Sequence, residues 1–345
     1  MRTRWRFLAL ALLLSLLTAC GAPAPWRQES YVFGTRVELL IVGAPHAEAQ
    51  AAGALVLREF DRLHHAYHAW RASELTALNE ALAAGRSLEV SEELAGWVRE
   101  AQALAAAGEY LFDPGIGRLI ALWGFQSDEI EPVAPDPAAI RAWLAQRPSI
   151  ADVRVDGRRV SSRNRAVALD FGGYLKGVAL DRAAALLKRQ GVHNALINIG
   201  GNILALGDKQ GTPWRVGIQH PRPHEVGGAP LATLELRDGE AIGTSGDYHR
   251  YFMRDGQRFC HLLDPRSGQP ATATQAVTVL IPPGPSAGMR SDALSKPVFI
   301  AGADWRRIAD KLELTAVLKV GADGTVEATP TMRQRLKFVD VKEAK

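Results

Sequence analysis

From residue 195 onward the chain runs through strand after strand with no helix spaced regularly between them, and this constrains the fold more than any other feature. Residues 195–206 read as a buried apolar strand interrupted by Gly200-Gly201-Asn202. Residues 214–219 and 231–236 alternate apolar and polar side chains, and residues 274–281 form a further strand. Parallel strands need a crossover between them, usually a helix, so this half is expected to pair in antiparallel or mixed fashion and not as a dinucleotide-binding alternation of strand and helix. The first half is different. Residues 31–42 alternate like one strand around Phe33-Gly34-Thr35, whereas residues 47–63 and 91–107 carry apolar side chains at helical spacing. The second of these helices breaks at Gly108 into a turn at Pro114, after which residues 119–123 pack. Residues 132–148 read as an insert with a short surface helix, residues 153–169 as a hairpin around Asp156-Gly157, and residues 291–302 as a helix capped by Ser291 or Asp292. The expected class is α+β: a single two-lobed unit with mixed or antiparallel sheets and flanking helices.

The N-terminus carries an address. Three arginines in the first six residues precede an apolar run over residues 7–17, which closes on Leu17-Thr18-Ala19-Cys20-Gly21. The run is too short to span a bilayer comfortably, and small residues directly before a cysteine resemble a lipoprotein processing site. The expected organisation is a signal peptide over residues 1–19, a tether over 20–29 starting at a lipidated Cys20, and one folded domain over 30–340. That places the protein in a bacterial envelope, anchored by lipid and facing the periplasm, with the choice of inner or outer membrane open. Loss of Arg2, Arg4 and Arg6 takes the formal charge from +4 to +1. The mature chain therefore lacks the basic excess that phosphate-backbone binding needs, and no nucleic-acid partner is expected. Cys260 is the other cysteine, so no disulfide is expected. Roughly 320 residues remain after the leader, enough for a substantial core.

The densest chemistry lies in Asp170-Phe-Gly-Gly-Tyr-Leu-Lys176-Gly177, directly before an amphipathic run at residues 178–190. Glycines at a helix N-terminus present backbone N–H groups to an anion, and a lysine adds charge. The segment matches neither a Walker A loop nor G-x-G-x-x-G, and Gly-Gly before a helix also serves as a plain tight turn. Two further loop-like segments, Thr244-Ser-Gly-Asp-Tyr248 and His261-Leu-Leu-Asp264-Pro-Arg-Ser-Gly268, are rich in hydrogen-bonding groups.

Taken in order, these blocks resemble the ApbE family, the FAD:protein FMN transferases. The resemblance rests on Phe33-Gly-Thr35, Ser73-Glu-Leu-x-x-Leu-Asn79, Phe112-Asp113-Pro-x-x-Gly117 with Trp123-Gly-Phe125, the 170–181 segment, Asn198-x-Gly-Gly-Asn202, Thr244-Ser-Gly246, His261-x-x-Asp264-Pro-x-Ser-Gly268 and Asp292-Ala-Leu294. It implies that the protein holds FAD in a cleft between its lobes. There a threonine or serine hydroxyl of a target protein attacks the FMN-side phosphorus and AMP leaves. The implied target is a redox subunit of a membrane electron-transfer system. Two other outcomes stay open from the residues: hydrolysis of FAD to FMN and AMP, and a non-catalytic flavin-binding lipoprotein.

The resemblance also assigns residues. His261 is the expected base, since a histidine titrates in the useful range and this one sits on a loop; packing against Asp264 for structural reasons is its competing reading. For the flavin it points to Phe33, Trp70, Leu111, Phe112, Asp113, Asp170, Lys176 and the backbone at Leu263. Either aromatic can stack on a planar ring or simply fill the core. Asp170 is expected to accept hydrogen bonds from the ligand and Lys176 to meet phosphate, unless the two form a salt bridge with each other. Family members hold Mg²⁺ through a backbone carbonyl, matching Gly173, and through an Asp and a Thr four residues apart. Asp292 is present, but Lys296 stands at the threonine position, with Ser295 as the alternative oxygen ligand. A protonated lysine cannot ligate a cation, so weakened or replaced Mg²⁺ binding is expected.

Overall fold

The computed structural model describes residues 24–127, 129–222 and 228–339; the leader and Cys20 lie outside the described residues. Its centre is an eight-stranded sheet whose strands are β1 (Trp26–Val32), β2 (Thr35–Ile41), β3 (Ala195–Ile199), β4 (Asn202–Leu206), β5 (Ala241–Gly246), β6 (Thr274–Ile281), β7 (Val317–Gly321) and β8 (Val326–Ala328). Spatial order follows chain order across the whole sheet, and every neighbouring pair is antiparallel. The α+β expectation holds, with wholly antiparallel pairing in the large sheet. No helix among the described residues is long and apolar enough to cross a membrane.

Alternation along the strands sends side chains to two faces. Val37, Leu39, Ile41, Ile197, Ile199, Val277 and Val279 face a core built with the helices His46–Ala66, Leu175–Arg189 and Ala287–Ala301. Ile203, Ala205, Ile242, Leu280 and Leu318 face a second core, closed by a three-stranded sheet of Trp214–Ile218, Ala232–Leu236 and Leu336–Phe338. β6 is buried at every position but Gln275 because it is covered on both sides. A third apolar cluster joins Trp123, Phe125, Ile140, Trp143 and Phe252.

The Ala287–Ala301 helix is the element that most determines the site. It is buried over almost its whole surface, including Ser291, Asp292, Ser295 and Lys296, and it lies on β5 and β6. It crosses the Leu175–Arg189 helix at a glycine contact. A Cβ on Gly177 would stand 2.5 Å from the Gly288 carbonyl oxygen, and one on Gly288 would stand 2.7 Å from the Gly177 oxygen. Its first turn is capped from the crossing helix, where the Asp181 carboxylate accepts from the Gly288 and Met289 N–H groups, both at 2.8 Å. Burial pushes the Asp181 carboxyl up to about 6 against those bonds.

Four expectations are corrected here. Residues 31–42 are not one strand, because Phe33-Gly34 is a two-residue hairpin turn between β1 and β2 with Val32 paired to Thr35. Residues 26–29, expected in a tether, belong to β1, which begins at Trp26, whose indole lies over Gly53. The last long helix begins at Ala287, not Ser291, and continues through Pro297. Residues 244–246, expected in a loop, belong to β5, whereas the Pro137–Gln146 helix is the expected surface helix and buries Ile140 and Trp143.

Candidate functional site

A cleft of about 810 Å³ opens where the β1–β2 turn, residues 64–71, residues 111–129, the 170–176 segment and the loops after β5 converge. This is the size range of small-molecule and cofactor sites. Phe33, Trp70, Leu111, Phe112, Asp113, Asp170, Gly173, Lys176, His261, Leu263, Asp292 and Lys296 all line it. Of the residues anticipated from sequence, Ser295 does not appear in its wall.

Phe33 reaches the cleft at a cost. It has φ 58° and Gly34 φ 67°, the positive pair that a two-residue turn matching the strand twist requires. Glycine accepts that conformation freely, whereas an aromatic residue there is an outlier that stores strain. The turn holds the half-buried Phe33 ring between Phe60, at a centroid distance of 6.0 Å, and His64, at 5.8 Å. The ring packs against the main core and also lines the cleft.

The 170–177 segment behaves differently from the expected N–H cradle. Gly172 N–H donates to Asp170 Oδ1 at 2.6 Å, Tyr174 and Leu175 N–H both donate to the Phe171 carbonyl, and Gly177 N–H donates to Asp292 Oδ2 at 3.0 Å. These four donors are committed inside the protein, and the Lys176 side chain adds charge to the region. Its Nζ donates to the Gly172 carbonyl at 3.0 Å, and it is not bridged to Asp170. Burial in the cleft pushes the Asp170 carboxyl up, against the Gly172 N–H bond and the charges of Arg250 and Lys176.

His261 lies on the loop that follows the Tyr251–Arg254 and Gln257–Cys260 hairpin. Its Nδ1 is 3.1 Å from the Arg250 carbonyl oxygen, which also accepts the His261 backbone N–H. A carbonyl only accepts, so Nδ1 carries the ring hydrogen and Nε2 keeps the free lone pair. Burial pushes the imidazole down to about 3, with Arg250, Lys176 and Lys296 acting in the same sense. Asp264 is not its partner: that carboxylate is chelated by Arg266 at 2.8–3.2 Å. The loop is fixed further by Gly268, whose carbonyl accepts from the Trp123 indole at 2.9 Å.

Gly173, Asp292 and Lys296 do converge. Lys296 Nζ is 2.7 Å from Asp292 Oδ1 and 2.7 Å from the Asp292 carbonyl oxygen, and a Cβ on Gly173 would stand 2.8 Å from Lys296 Cε. Burial drives the Lys296 pKa down against the pull of Asp292. The Asp292 carboxyl is disfavoured in its charged form by burial, yet Lys176, Lys296 and the Gly177 N–H hold it below the usual range. Ser295 Oγ is spent on Ser245 Oγ and the Asp292 carbonyl, both at 2.8 Å. A divalent ion needs oxygen ligands turned toward a common point; here an ammonium already sits on the carboxylate and the serine is engaged elsewhere. The residues as they stand do not fit the ion. Among the described residues there is no group of three or more His, Cys, Asp or Glu that could hold one.

The Asp113 side chain supports the cleft wall from within the protein. The buried carboxylate accepts from Gly115 N–H at 2.7 Å, Ser149 Oγ at 2.5 Å and Ile150 N–H at 2.9 Å, which pins the Leu111–Asp113 turn against the wall. Sequence reasoning missed His64, His68, His249 and Arg250, all in the cleft wall. The signal for the first two was the clustering of His64, His65 and His68, whose rings lie 5.1–5.3 Å apart. Arg250 gave none; its Nη2 ties the hairpin to the Phe125 and Ser127 carbonyls at 2.9 and 3.0 Å.

Comparison with known proteins bears on the family and the fold. Residues 33–318 match the model of the ApbE family. The chain is 42% identical over 338 residues to a FAD:protein FMN transferase of Rhodobacter capsulatus, covering 96% of this chain but 63% of that longer protein. It is 29% identical to a Treponema pallidum protein of the same name, covering 98% and 97% of the two chains. The fold matches the crystal structure of an ApbE protein from Thermotoga maritima with a TM-score of 0.81 and 29% identity, over 90% of this chain and 99% of that one. It also matches the flavin transferase ApbE from Vibrio cholerae at 0.78 and 26%, over 92% and 100%.

Proposed function

The chain belongs to the ApbE family, and from that premise we propose that it transfers the FMN moiety of FAD to a serine or threonine hydroxyl of a target redox protein. The observation that carries this reading is a neutral imidazole with its Nδ1 hydrogen tied to a backbone carbonyl, in one cleft with two lysines. The target oxygen forms a bond to the FMN-side phosphorus. The bond from that phosphorus to the bridging oxygen breaks, and AMP departs with the bridging oxygen. The hydroxyl proton passes to His261 Nε2 and from there to solvent. No electron transfer is involved, so the protein's work is to place the alcohol, neutralise pyrophosphate charge and limit competing water. Phe33 and Trp70 offer faces to the flavin or adenine ring, and Asp170 offers an acceptor to a ring or ribose donor. Mg²⁺, implied by family resemblance, does not fit the present Asp292 and Lys296 arrangement.

The direct test incubates the mature chain with FAD and a candidate target. Transfer gives a target heavier by one FMN and an equal amount of AMP by mass spectrometry; FMN and AMP with an unmodified target would instead establish hydrolysis. The lipid anchor at Cys20 belongs to the same proposal, together with a membrane-bound target facing the periplasm. Cys20→Ala is expected to move the protein from the detergent phase to the aqueous phase in a Triton X-114 partition.

Two expectations follow from the site. A base is lost when it protonates, and His261 protonates near pH 3 instead of 6.5. The kcat/KM profile, which reports the free enzyme, is therefore expected to stay flat from pH 8 down to about 5. An acid limb centred near 6.5 would show that the imidazole titrates at its ordinary value despite its burial. Phe33→Asn creates the Asn-Gly pair that suits this turn best and relieves roughly 1 kcal/mol of backbone strain. Thermal stability is expected not to fall, while FAD affinity by flavin fluorescence titration falls about tenfold, the size of one aromatic contact.

A further inference from the structure

We propose that Lys296 supplies, from within the chain, positive charge for binding the pyrophosphate, so that the cleft works without a divalent ion. The inference deepens the transferase reading and rests on it.

The side chain occupies the room an ion would need. Its stem passes directly over Gly173, where even a methyl group would collide with Cε at 2.8 Å and Cδ at 3.0 Å. Its nitrogen reaches Asp292 Oδ1 and the Asp292 carbonyl oxygen at 2.7 Å each. The other carboxylate oxygen accepts the Gly177 N–H at 3.0 Å. Both Asp292 oxygens are thus committed, and the Ser295 hydroxyl is turned toward Ser245. An ion bridging Gly173 and Asp292 has to expel a side chain that is only 9% exposed.

The same arrangement leaves the ammonium fit for use. It has three donors, of which Asp292 takes two, so one remains for a phosphate oxygen in the cleft that Lys296 lines. An ammonium is a compact charge with no coordination geometry to satisfy, and Lys176 stands in the same wall. Asp292 balances one of the two lysine charges, so Lys296 meets the pyrophosphate as a charge-assisted donor and Lys176 carries the net positive charge.

The experiment uses the mature chain stripped with EDTA. FAD affinity is read by flavin fluorescence, and metal binding by the electron-spin-resonance signal of free Mn²⁺. The expected result is FAD binding unchanged within twofold by EDTA, and no uptake of Mn²⁺ at 1:1 stoichiometry. Lys296→Thr, which opens the space over Gly173 and frees Asp292, is expected to take up one Mn²⁺. Lys296→Met is expected to lose FAD affinity by tenfold or more. Stoichiometric Mn²⁺ uptake by the unaltered chain, with FAD binding lost in EDTA and restored by Mg²⁺, would overturn the proposal and leave the transferase reading intact. Failure to bind FAD under any condition would take down the transferase reading itself. Should either variant fold poorly, the measurements on the unaltered chain decide alone.

Discussion

Replacing His261 by alanine is expected to slow FMN transfer by about 10²–10⁴-fold, the usual worth of a positioned general base, while FAD affinity stays within a few fold. The separation of the two readouts follows from the geometry. The imidazole is held by one backbone carbonyl, that of Arg250, through Nδ1, and its lone pair at Nε2 has work to do only when an alcohol arrives. A variant that bound FAD normally and transferred at the original rate would show that the proton leaves by another route. His261→Gln sharpens the test, because an amide keeps a donor toward the Arg250 carbonyl but offers no base. Its rate is expected to match that of the alanine variant.

Gly177→Ala is expected to have the largest effect on stability, on the order of 3 kcal/mol or more, since overpacking a tight contact generally costs 1–3 and here the obstacle is backbone. The new Cβ would meet the Gly288 carbonyl oxygen at 2.5 Å, the Met289 Cα at 2.6 Å and the Asp292 Cβ at 2.8 Å. None of these is the far end of a flexible side chain, so two helices must separate. Separation also stretches the Gly177 N–H bond to Asp292 and carries Lys296 away from the cleft, so FAD affinity should fall with stability. Melting measurements should show a drop of roughly 5 °C or more. The matched control is Gly96→Ala in the Glu92–Ala107 helix, where a Cβ meets nothing within 4 Å. That change should raise stability by about 0.5–1 kcal/mol through helix propensity.

The parts of this fold that follow local rules were readable from the chain. The helices His46–Ala66 and Glu92–Ala107 show their apolar period, and the second is announced by Ser91, whose hydroxyl accepts from the Leu94 N–H as a cap should. The strands of the second half alternate where they face water and lose that alternation where two layers cover them, as over residues 276–281 of β6. What escaped has tertiary causes. The Ala287–Ala301 helix is covered on nearly every side and so has no polar face to reveal its period, and its cap is Asp181, more than a hundred residues earlier. The Phe33-Gly34 turn read as mid-strand because a phenylalanine is a poor occupant of positive φ. Its glycine was the only local hint. At the site, the residue types were legible and their commitments were not. Which N–H groups Asp170 and Asp292 consume, and that Asp264 turns to Arg266 instead of His261, depend on contacts that no spacing encodes.

Strands β2 and β3 are hydrogen-bonded neighbours, yet residues 42–194 lie between them. That excursion brings Trp70, Phe112, Asp170 and Lys176 to the cleft, while His261, Asp292 and Lys296 arrive only after β5. Closing so long a loop makes the β2–β3 seam a nonlocal event, slow by the ordinary dependence of rate on contact separation. Neither half of the polypeptide holds a complete pocket, so a partly folded molecule lacks the cleft. Ligand capture thereby becomes a late milestone of maturation, reached only once the last third of the polypeptide has joined the first.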